Sequence, residues 1–479
     1  MRLYVVCRYV ALSLLLNAFF LLVSTVISGI NSDTAFFPLF YTFLIALLFG
    51  VFPLIFVPPQ QTVSHKEGLL IVVYSWLLSC FLGLTPYLLW GGEFTFTNAW
   101  FESVSGYTTT GSTILRDIES LPLGLLFWRS STHWIGGIGI IIFALAVLPP
   151  IGISGMILYR SEVSEQARQD FQFNARRSMQ ILLMVYVGLT VLETIALLGC
   201  GIGLFDAVTT SFGTVATGGF STRNASIAHY HNVAVEMVVI IFMVLSGIHF
   251  GLLFSAIRGN RKEIWQSPVL RFYLCCLLAG TLLTTLNVHG EIYNAWTEAF
   301  RYAAFQVISI GTSTGFANAD SSIWPAFAQL VLIFFMLQCA CAGSTSGGLK
   351  ADRIVLFLKS IWRRIRQIKH PKAIFAIRLG GNTVDDSAVD LSLLYLSLYM
   401  AVVFVSSVAL SALGVDMLTA FSGSAAVMGN VGPGFGSVGS IGNFAHIPSA
   451  GKWILSVTML LGRLEIYGLV VCLIPRYLR

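Results

Sequence analysis

Four stretches of this chain place glycine among serine and threonine in a way that could do chemistry: FESVSGYTTTGST (101–113), FDAVTTSFGTVATGGFST (205–222), FQVISIGTSTGFANAD (305–320) and FSGSAAVMGNVGPGFGSVG (421–439). None pairs a nucleophile with a base. What they offer is oxygen: hydroxyls, and backbone carbonyls that glycine allows to turn to one side. A ring of such oxygens replaces the water around a dehydrated monovalent cation. Each stretch begins with a short helix-like piece, and a helix ending just before the glycines would aim its partly negative C-terminus at a central cation. Glu102, Asp206, Glu298 and Asp416, near the outer ends, would raise the local cation concentration.

Aligned on Gly111, Gly218 or Gly219, Gly315 and Gly432, the stretches recur about every hundred residues, which marks an internal repeat of helix, short re-entrant piece and helix. One such stretch alone could be an extracellular turn or a close helix crossing. Four in register argue against that. Non-helical backbone at membrane depth is tolerated where it is buried in protein or lines a watery cavity.

A second set of weak spots lies further along, near the middle or inner end of each repeat's second helix: HWIGGIG (133–139), LSGIHFG (245–251), CAGSTSGGLK (341–350) and MLLGRLE (459–465). The third is the most disruptive, because Gly343, Ser344, Thr345, Ser346, Gly347 and Gly348 weaken a helix at membrane depth and Lys350 follows at once. It is a candidate gate, with a tight crossing of small residues as the alternative. Arg463 stands inside the last apolar span, where an arginine faces a cavity or a partner. Glu465 is two residues away and points to another helix face, so it is a poor partner; the alternative is a buried ion pair, with Glu193 and Glu236 as candidates and no partner named by the sequence. Gly136, Gly137 and Gly139 beside His133 read as helix packing, and His229 and His231 as an exposed outer loop rather than a metal site. No HExxH, P-loop, GxSxG or dinucleotide fingerprint occurs, so no nucleotide site is visible in the chain.

The elements that must position these residues follow from composition. The chain has 479 residues, 56% of them hydrophobic and 10% charged, with a mean hydropathy of +0.81. Soluble domains carry about 25% charged residues, so this is a polytopic, all-helical membrane protein rather than a nucleic-acid reader, a disulfide scaffold or a cytosolic enzyme. Its eight cysteines lie in or beside apolar stretches without zinc-site spacing. Ten spans are expected, near 9–28, 37–57, 68–90, 123–148, 179–203, 232–256, 268–286, 323–343, 388–413 and 451–475. The first is too long for a signal peptide and reads as a retained helix. With an inside N-terminus, 22 of the 28 Lys and Arg fall on inner segments, which puts both termini in the cytoplasm. The basic run KSIWRRIRQIKH (359–370) then reads as a segment on the cytoplasmic membrane surface, or a docking site for a cytoplasmic partner.

The segments TTTGST, ATGGFST, STGF and NVGPGFG resemble the four filter segments of the Trk/Ktr/HKT superfamily of potassium transporters, in its bacterial TrkH branch. The resemblance covers most of the chain. It implies two extra N-terminal helices (1–67) and four helix–pore loop–helix repeats (68–178, 179–267, 268–387 and 388–479) around a central pore. It implies that potassium meets oxygens of Thr109 and Thr110, Ala216 and Thr217, Ser313 and Thr314, and Asn430 and Val431. Four glycines at the filter imply selectivity for potassium over sodium. The family places an intramembrane loop beneath the filter, here 343–350, with an arginine, here Arg463, beside it. It further implies a homodimer in the inner membrane and a cytoplasmic nucleotide-binding regulatory subunit of the TrkA/RCK type. A symporter driven by H+ or Na+ on the same scaffold is the nearest rival. A membrane-embedded enzyme lacks a cluster of acids, His or Cys, and a non-conducting scaffold leaves the four segments without a use.

Overall fold

A computed structural model describes residues 2–58, 64–151, 175–338, 340–380 and 382–466. Two long helices, α1 (Leu3–Ile30) and α2 (Phe36–Phe56), pack on each other, and α1 leans on the first repeat. Then the same order of elements occurs four times. A long helix is followed by a short one, an extended segment and another helix: α3 (His65–Trp90), α4 (Phe96–Tyr107) and α5 (Leu123–Ile151); then α6 (Ala175–Gly199), α7 (Leu204–Val215) and α8 (Val233–Ser246). A bent continuation, α9 (Phe250–Ile257), and a short α10 (Arg261–Gln266) lead into the third set, α11 (Pro268–Val288), α12 (Trp296–Gly311) and α13 (Ala326–Leu337). After α14 (Ala351–Lys369) come α15 (Asp386–Ala412), α16 (Met417–Met428) and α17 (Ser449–Arg463).

Local signals start these helices where the chain needs them. Ser64 and Glu67 form a capping box at the start of α3, satisfying two of the N–H groups that a helix end leaves open. Ser267 caps α11, whose first residue is Pro268, a residue with no N–H to satisfy.

Burial is inverted relative to a soluble protein. Phe49 and Phe52 on α2, Leu192 and Ile195 on α6, and Phe404 and Val405 on α15 are exposed, while Ser105, Thr108, Ser309, Thr312, Ser422 and Ser424 are buried. Lipid is an apolar solvent, so apolar side chains face it and polar ones collect where backbone must be satisfied internally. The chain is thus a multi-pass membrane protein.

Three expected spans prove to be interrupted. Among the described residues, six helices are long and apolar enough to cross a bilayer, or seven if a bent pair counts as one. Span 232–256 is that pair: α8 stops at Gly247 and α9 leaves at 104°. His249 caps α9 by accepting the Gly251 N–H on Nδ1. Span 323–343 stops being helical at Leu337, and α17 ends at Arg463, with the remainder of span 451–475 beyond Ile466 outside the described residues. Two of the interruptions fall inside a weak spot, and the helix of span 323–343 ends four residues before one, CAGSTSGGLK. HWIGGIG is the exception, for α5 runs straight through it. A further departure from the all-helical expectation is a small antiparallel ladder, Arg378–Leu379 with Asn382–Thr383, between α14 and α15. The basic α14 leaves Trp362, Ile365 and Ile368 exposed beside its arginines, which suits a membrane surface.

Candidate functional site

The four short helices end in the same way. At each C-terminus a residue near αR (Thr108, Ala216, Thr312, Gly429) is followed by one in the left-handed region: Thr109 at φ 51°, Thr217 at 54°, Ser313 at 58° and Asn430 at 52°. The next residue's N–H reaches back five positions: Thr110 to Ser105, Gly218 to Gly213, Thr314 to Ser309 and Val431 to Ala426. This is the Schellman arrangement, which satisfies helix-end carbonyls. Glycine or Asn is usual at its left-handed position, so Thr, Thr and Ser there hold backbone strain of the kind found at functional sites.

Two residues past each left-handed turn stands a glycine, again at positive φ: Gly111 (82°), Gly219 (78°), Gly315 (81°) and Gly432 (102°). Gly218 shows no positive φ, so the second repeat aligns on Gly219. Ala216 therefore stands level with Thr108, Thr312 and Gly429, one step short of the residues it was grouped with. The members of the second loop that match Thr109–Thr110 are Thr217–Gly218.

The glycines close a circuit. A Cβ on Gly111 would lie 2.2 Å from the Gly218 carbonyl oxygen, on Gly219 2.1 Å from that of Thr314, on Gly315 2.0 Å from that of Val431, and on Gly432 2.6 Å from that of Thr110. Each glycine leaves room for the carbonyl of the equivalent residue in the next repeat, and the fourth returns to the first. Ser112 Oγ adds a bond to the Gly432 carbonyl at 2.9 Å. A cavity of about 260 Å³ is lined by all four glycines together with Ser112, Ser221, Pro433 and the segments that follow them.

Polar side chains behind the ring hold it. Arg129, buried in α5, donates from Nε to Glu102 at 2.7 Å and from Nη1 to the Ser221 carbonyl at 2.9 Å. Glu102 in turn accepts from Thr113 Oγ1 and the Ile114 N–H. One ion pair thereby braces the first loop against the second. Asp206 accepts from Thr222 and pairs with Arg223 at 2.8 Å, and Asp416 caps α16 through the Thr419 N–H. Three of the four carboxylates expected to gather cations thus hold structural bonds; Glu298 and Asp416 are the exposed ones. Arg129 and Glu102 were missed as partners because nothing in a spacing of 27 residues reveals that both are buried. His229 and His231 are exposed.

Beneath the ring lies the non-helical segment from 340 to 350. Gly343 (φ 75°) packs on the His249 ring, and its carbonyl accepts the Phe250 N–H at 3.2 Å. Ser344 bonds the Cys341 carbonyl at 2.7 Å, and Thr345 Oγ1 bonds that of Val215, at the end of α7, at 2.9 Å. Ser346 Oγ meets Ser313 Oγ at 2.8 Å, and the Gly347 N–H donates to the same Ser313 hydroxyl at 3.3 Å. A Cβ on Gly347 would strike Asn430 Oδ1. Gly348 turns the chain at φ 63°, and the buried Lys350 ammonium donates to the Ser346 carbonyl. The left-handed residues Ser313 and Asn430 therefore stand between the carbonyl ring and this segment.

Arg463 is fully buried and, among the described residues, binds carbonyls and no carboxylate: Nη1 to Thr345 at 2.8 Å and Nη2 to Gly136 at 3.1 Å. The ion pair with Glu193 or Glu236 does not form. Glu236 is held by Arg301 at 2.6 Å and Glu465 by Arg353 at 2.8 Å. The 340–350 segment thus meets the second, third and fourth repeats, and Arg463 of the fourth ties it to Gly136 of the first.

Comparisons with known proteins agree on one relationship. The family model described as TrkH, cation transport protein, matches residues 35–476. A Trk system potassium uptake protein TrkH from Salmonella typhimurium is 36% identical, with 91% of each chain covered. The protein of that name from Escherichia coli K12 is 34% identical, with 99% of each covered. The crystal structure of the potassium transporter TrkH from Vibrio parahaemolyticus superposes with a TM-score of 0.90 at 32% identity, covering 100% of both chains.

Proposed function

The chain belongs to the TrkH family of cation transport proteins, and on that premise we propose that it takes up potassium through a filter built from its four glycine loops. Its relatives are potassium transporters, not enzymes. The single observation that carries the filter is the closed circuit of glycines and carbonyls, Gly111 to Gly218, Gly219 to Thr314, Gly315 to Val431 and Gly432 to Thr110. Carbonyls of Thr110, Gly218, Thr314 and Val431, with those of Thr109, Thr217, Ser313 and Asn430, would take the place of the ion's water. The reading keeps ten crossings, four re-entrant loops and both termini in the cytoplasm, in the inner membrane.

The gate is the segment 343–350, latched by Arg463. A guanidinium held by two backbone carbonyls keeps its charge on the pore axis side of the last helix, where it opposes cation passage. Opening requires the segment to leave Ser313, Asn430 and Arg463 together. A homodimer and a cytoplasmic nucleotide-binding ring of the TrkA/RCK type complete the system, with the basic α14, directly after the gate, as the attachment.

One observation favours H+-coupled symport as a second reading. Glu193 is fully buried in α6 and forms no ion pair among the described residues; it supplies the buried acid that coupling requires. Rubidium flux into liposomes, competed separately by potassium and sodium at two pH gradients, tests both readings. Block by potassium but hardly by sodium, independent of the gradient, supports the channel. Flux that follows the proton gradient and is lost in Glu193→Gln supports symport. Equal block by both cations removes the filter.

A further inference from the structure

The residue before each ring glycine supplies a carbonyl to the circuit, and in three loops it also carries a side chain that fixes it. Thr110 Oγ1 meets Thr108 Oγ1 at 2.7 Å, and Thr314 Oγ1 meets Thr312 Oγ1 at 2.8 Å. In the fourth loop Val431 Cγ2 packs over Gly429, 3.1 Å from where its Cβ would be. The second loop has neither partner, for the corresponding residues are Gly218 and Ala216. Its backbone does not require glycine at 218, since φ there is not in the left-handed region. Something else excludes a side chain.

That something is His133. A Cβ on Gly218 would lie 2.3 Å from His133 Nδ1 and 2.6 Å from Cγ. The imidazole, fully buried, comes from α5 of the first repeat and fills the space that the other loops fill for themselves. It is fixed on two sides: Nδ1 accepts the Phe220 N–H at 3.4 Å, and the ring stacks on Phe220 at 4.1 Å and 13°. An accepting Nδ1 leaves the proton on Nε2 of a neutral ring. Arg129, one turn earlier on α5, lies 3.5 Å over the same Phe220 ring.

We propose that His133 is a positioning residue for ion selectivity: its imidazole replaces the missing side chain of the second loop and sets the Gly218 carbonyl that packs into Gly111. It touches no ion. The inference rests on the filter reading above.

The test is reciprocal rescue, measured as rubidium uptake with potassium and sodium as competitors in cells lacking their own potassium uptake. His133→Ala should keep rubidium uptake but raise competition by sodium, relative to potassium, about tenfold, since the unsupported carbonyl relaxes. Gly218→Thr alone should lose uptake because its side chain meets the imidazole. The double variant H133A/G218T should bring the competition ratio back to within about threefold of the parent, a recovery that a merely structural histidine would not show. His133→Asn, whose amide oxygen can take the place of Nδ1, should hold the parental ratio, and it serves if the alanine variant fails to accumulate. An unchanged ratio in His133→Ala, or a double variant no better than the single one, overturns the proposal. Gly315→Ala runs alongside: if it shifts the ratio while the His133 set does not, this inference alone fails; if it too leaves the ratio unchanged, the filter reading fails.

Discussion

Replacing the four ring glycines one at a time by alanine should give a graded loss of selectivity whose order can be worked out from the circuit. All four sit at φ between 78° and 102°, where an L residue costs on the order of 1–2 kcal/mol, so strain alone would treat them alike. The carbonyl opposite does not. To bring the new contact out to 3.0 Å, the oxygen must retreat by 1.0 Å at Gly315, 0.9 Å at Gly219, 0.8 Å at Gly111 and 0.4 Å at Gly432. A ring that distinguishes ions by how closely its oxygens surround them loses discrimination in proportion to that retreat. A tenfold loss is about 1.4 kcal/mol, within the roughly 1–3 kcal/mol that overpacking of this kind commonly costs. The expectation is at least a tenfold rise in sodium competition for Gly315→Ala and Gly219→Ala, and a much smaller one for Gly432→Ala. The assay is competed rubidium uptake, with the amount of folded protein in detergent measured for each variant. A folded Gly315→Ala protein with parental selectivity, or a Gly432→Ala protein as impaired as Gly315→Ala, would refute the reasoning.

Arg463→Ala should release the gate segment from its latch and raise basal rubidium flux about tenfold, because a charged hydrogen bond contributes about 1.5–3 kcal/mol; flux equal to the parent in liposomes would make Arg463 a packing residue. Glu102→Gln or Arg129→Met should each destabilise the protein by about 3–5 kcal/mol by stranding a buried charge, and the double variant should be milder than the two summed, as read by thermal unfolding in detergent. Gly136→Ala places a Cβ 2.0 Å from the Tyr107 carbonyl oxygen. It should therefore unfold at lower temperature despite the roughly 1 kcal/mol that alanine adds to a helix. Gly188→Ala in α6, with nothing within 4 Å of the new methyl, should not.

What the sequence made legible was periodic or compositional. The apolar runs located α1, α2, α3, α6, α11 and α15, and the recurring glycines located the four loops, because both signals lie in consecutive residues. The weak spots LSGIHFG, CAGSTSGGLK and MLLGRLE marked three real breaks. HWIGGIG stood among the weak spots, yet its glycines also read as helix packing, and that reading holds: Gly136 and Gly137 serve close approach to Tyr107 and Ala216 while α5 stays helical. The register of the second loop was open because ATGG offers two adjacent glycines, and a backbone angle decides between them. The partners of Arg463 were out of reach for a different reason. A guanidinium satisfied by carbonyls leaves no complementary residue type to search for, and Thr345 and Gly136 lie 118 and 327 residues away.

One face of α5 carries Arg129, His133, Gly136 and Gly137, three or four residues apart along a single helix. The first two hold Ser221 and Phe220 behind the second loop; Gly136 lies against the Tyr107 carbonyl and gives its own carbonyl to Arg463, and Gly137 admits Ala216. Ring and latch therefore share one rigid rod. An axial slide or a roll of α5 moves the support of the Gly218 carbonyl and the anchor of Arg463 by the same amount and at the same moment. On the proposed filter and gate, selectivity and gating are then not independent coordinates. A gating transition that displaced α5 would change the ring's dimensions as it occurred, and one that left the ring unchanged must keep α5 still and confine its motion to α13, α14 and the segment between them.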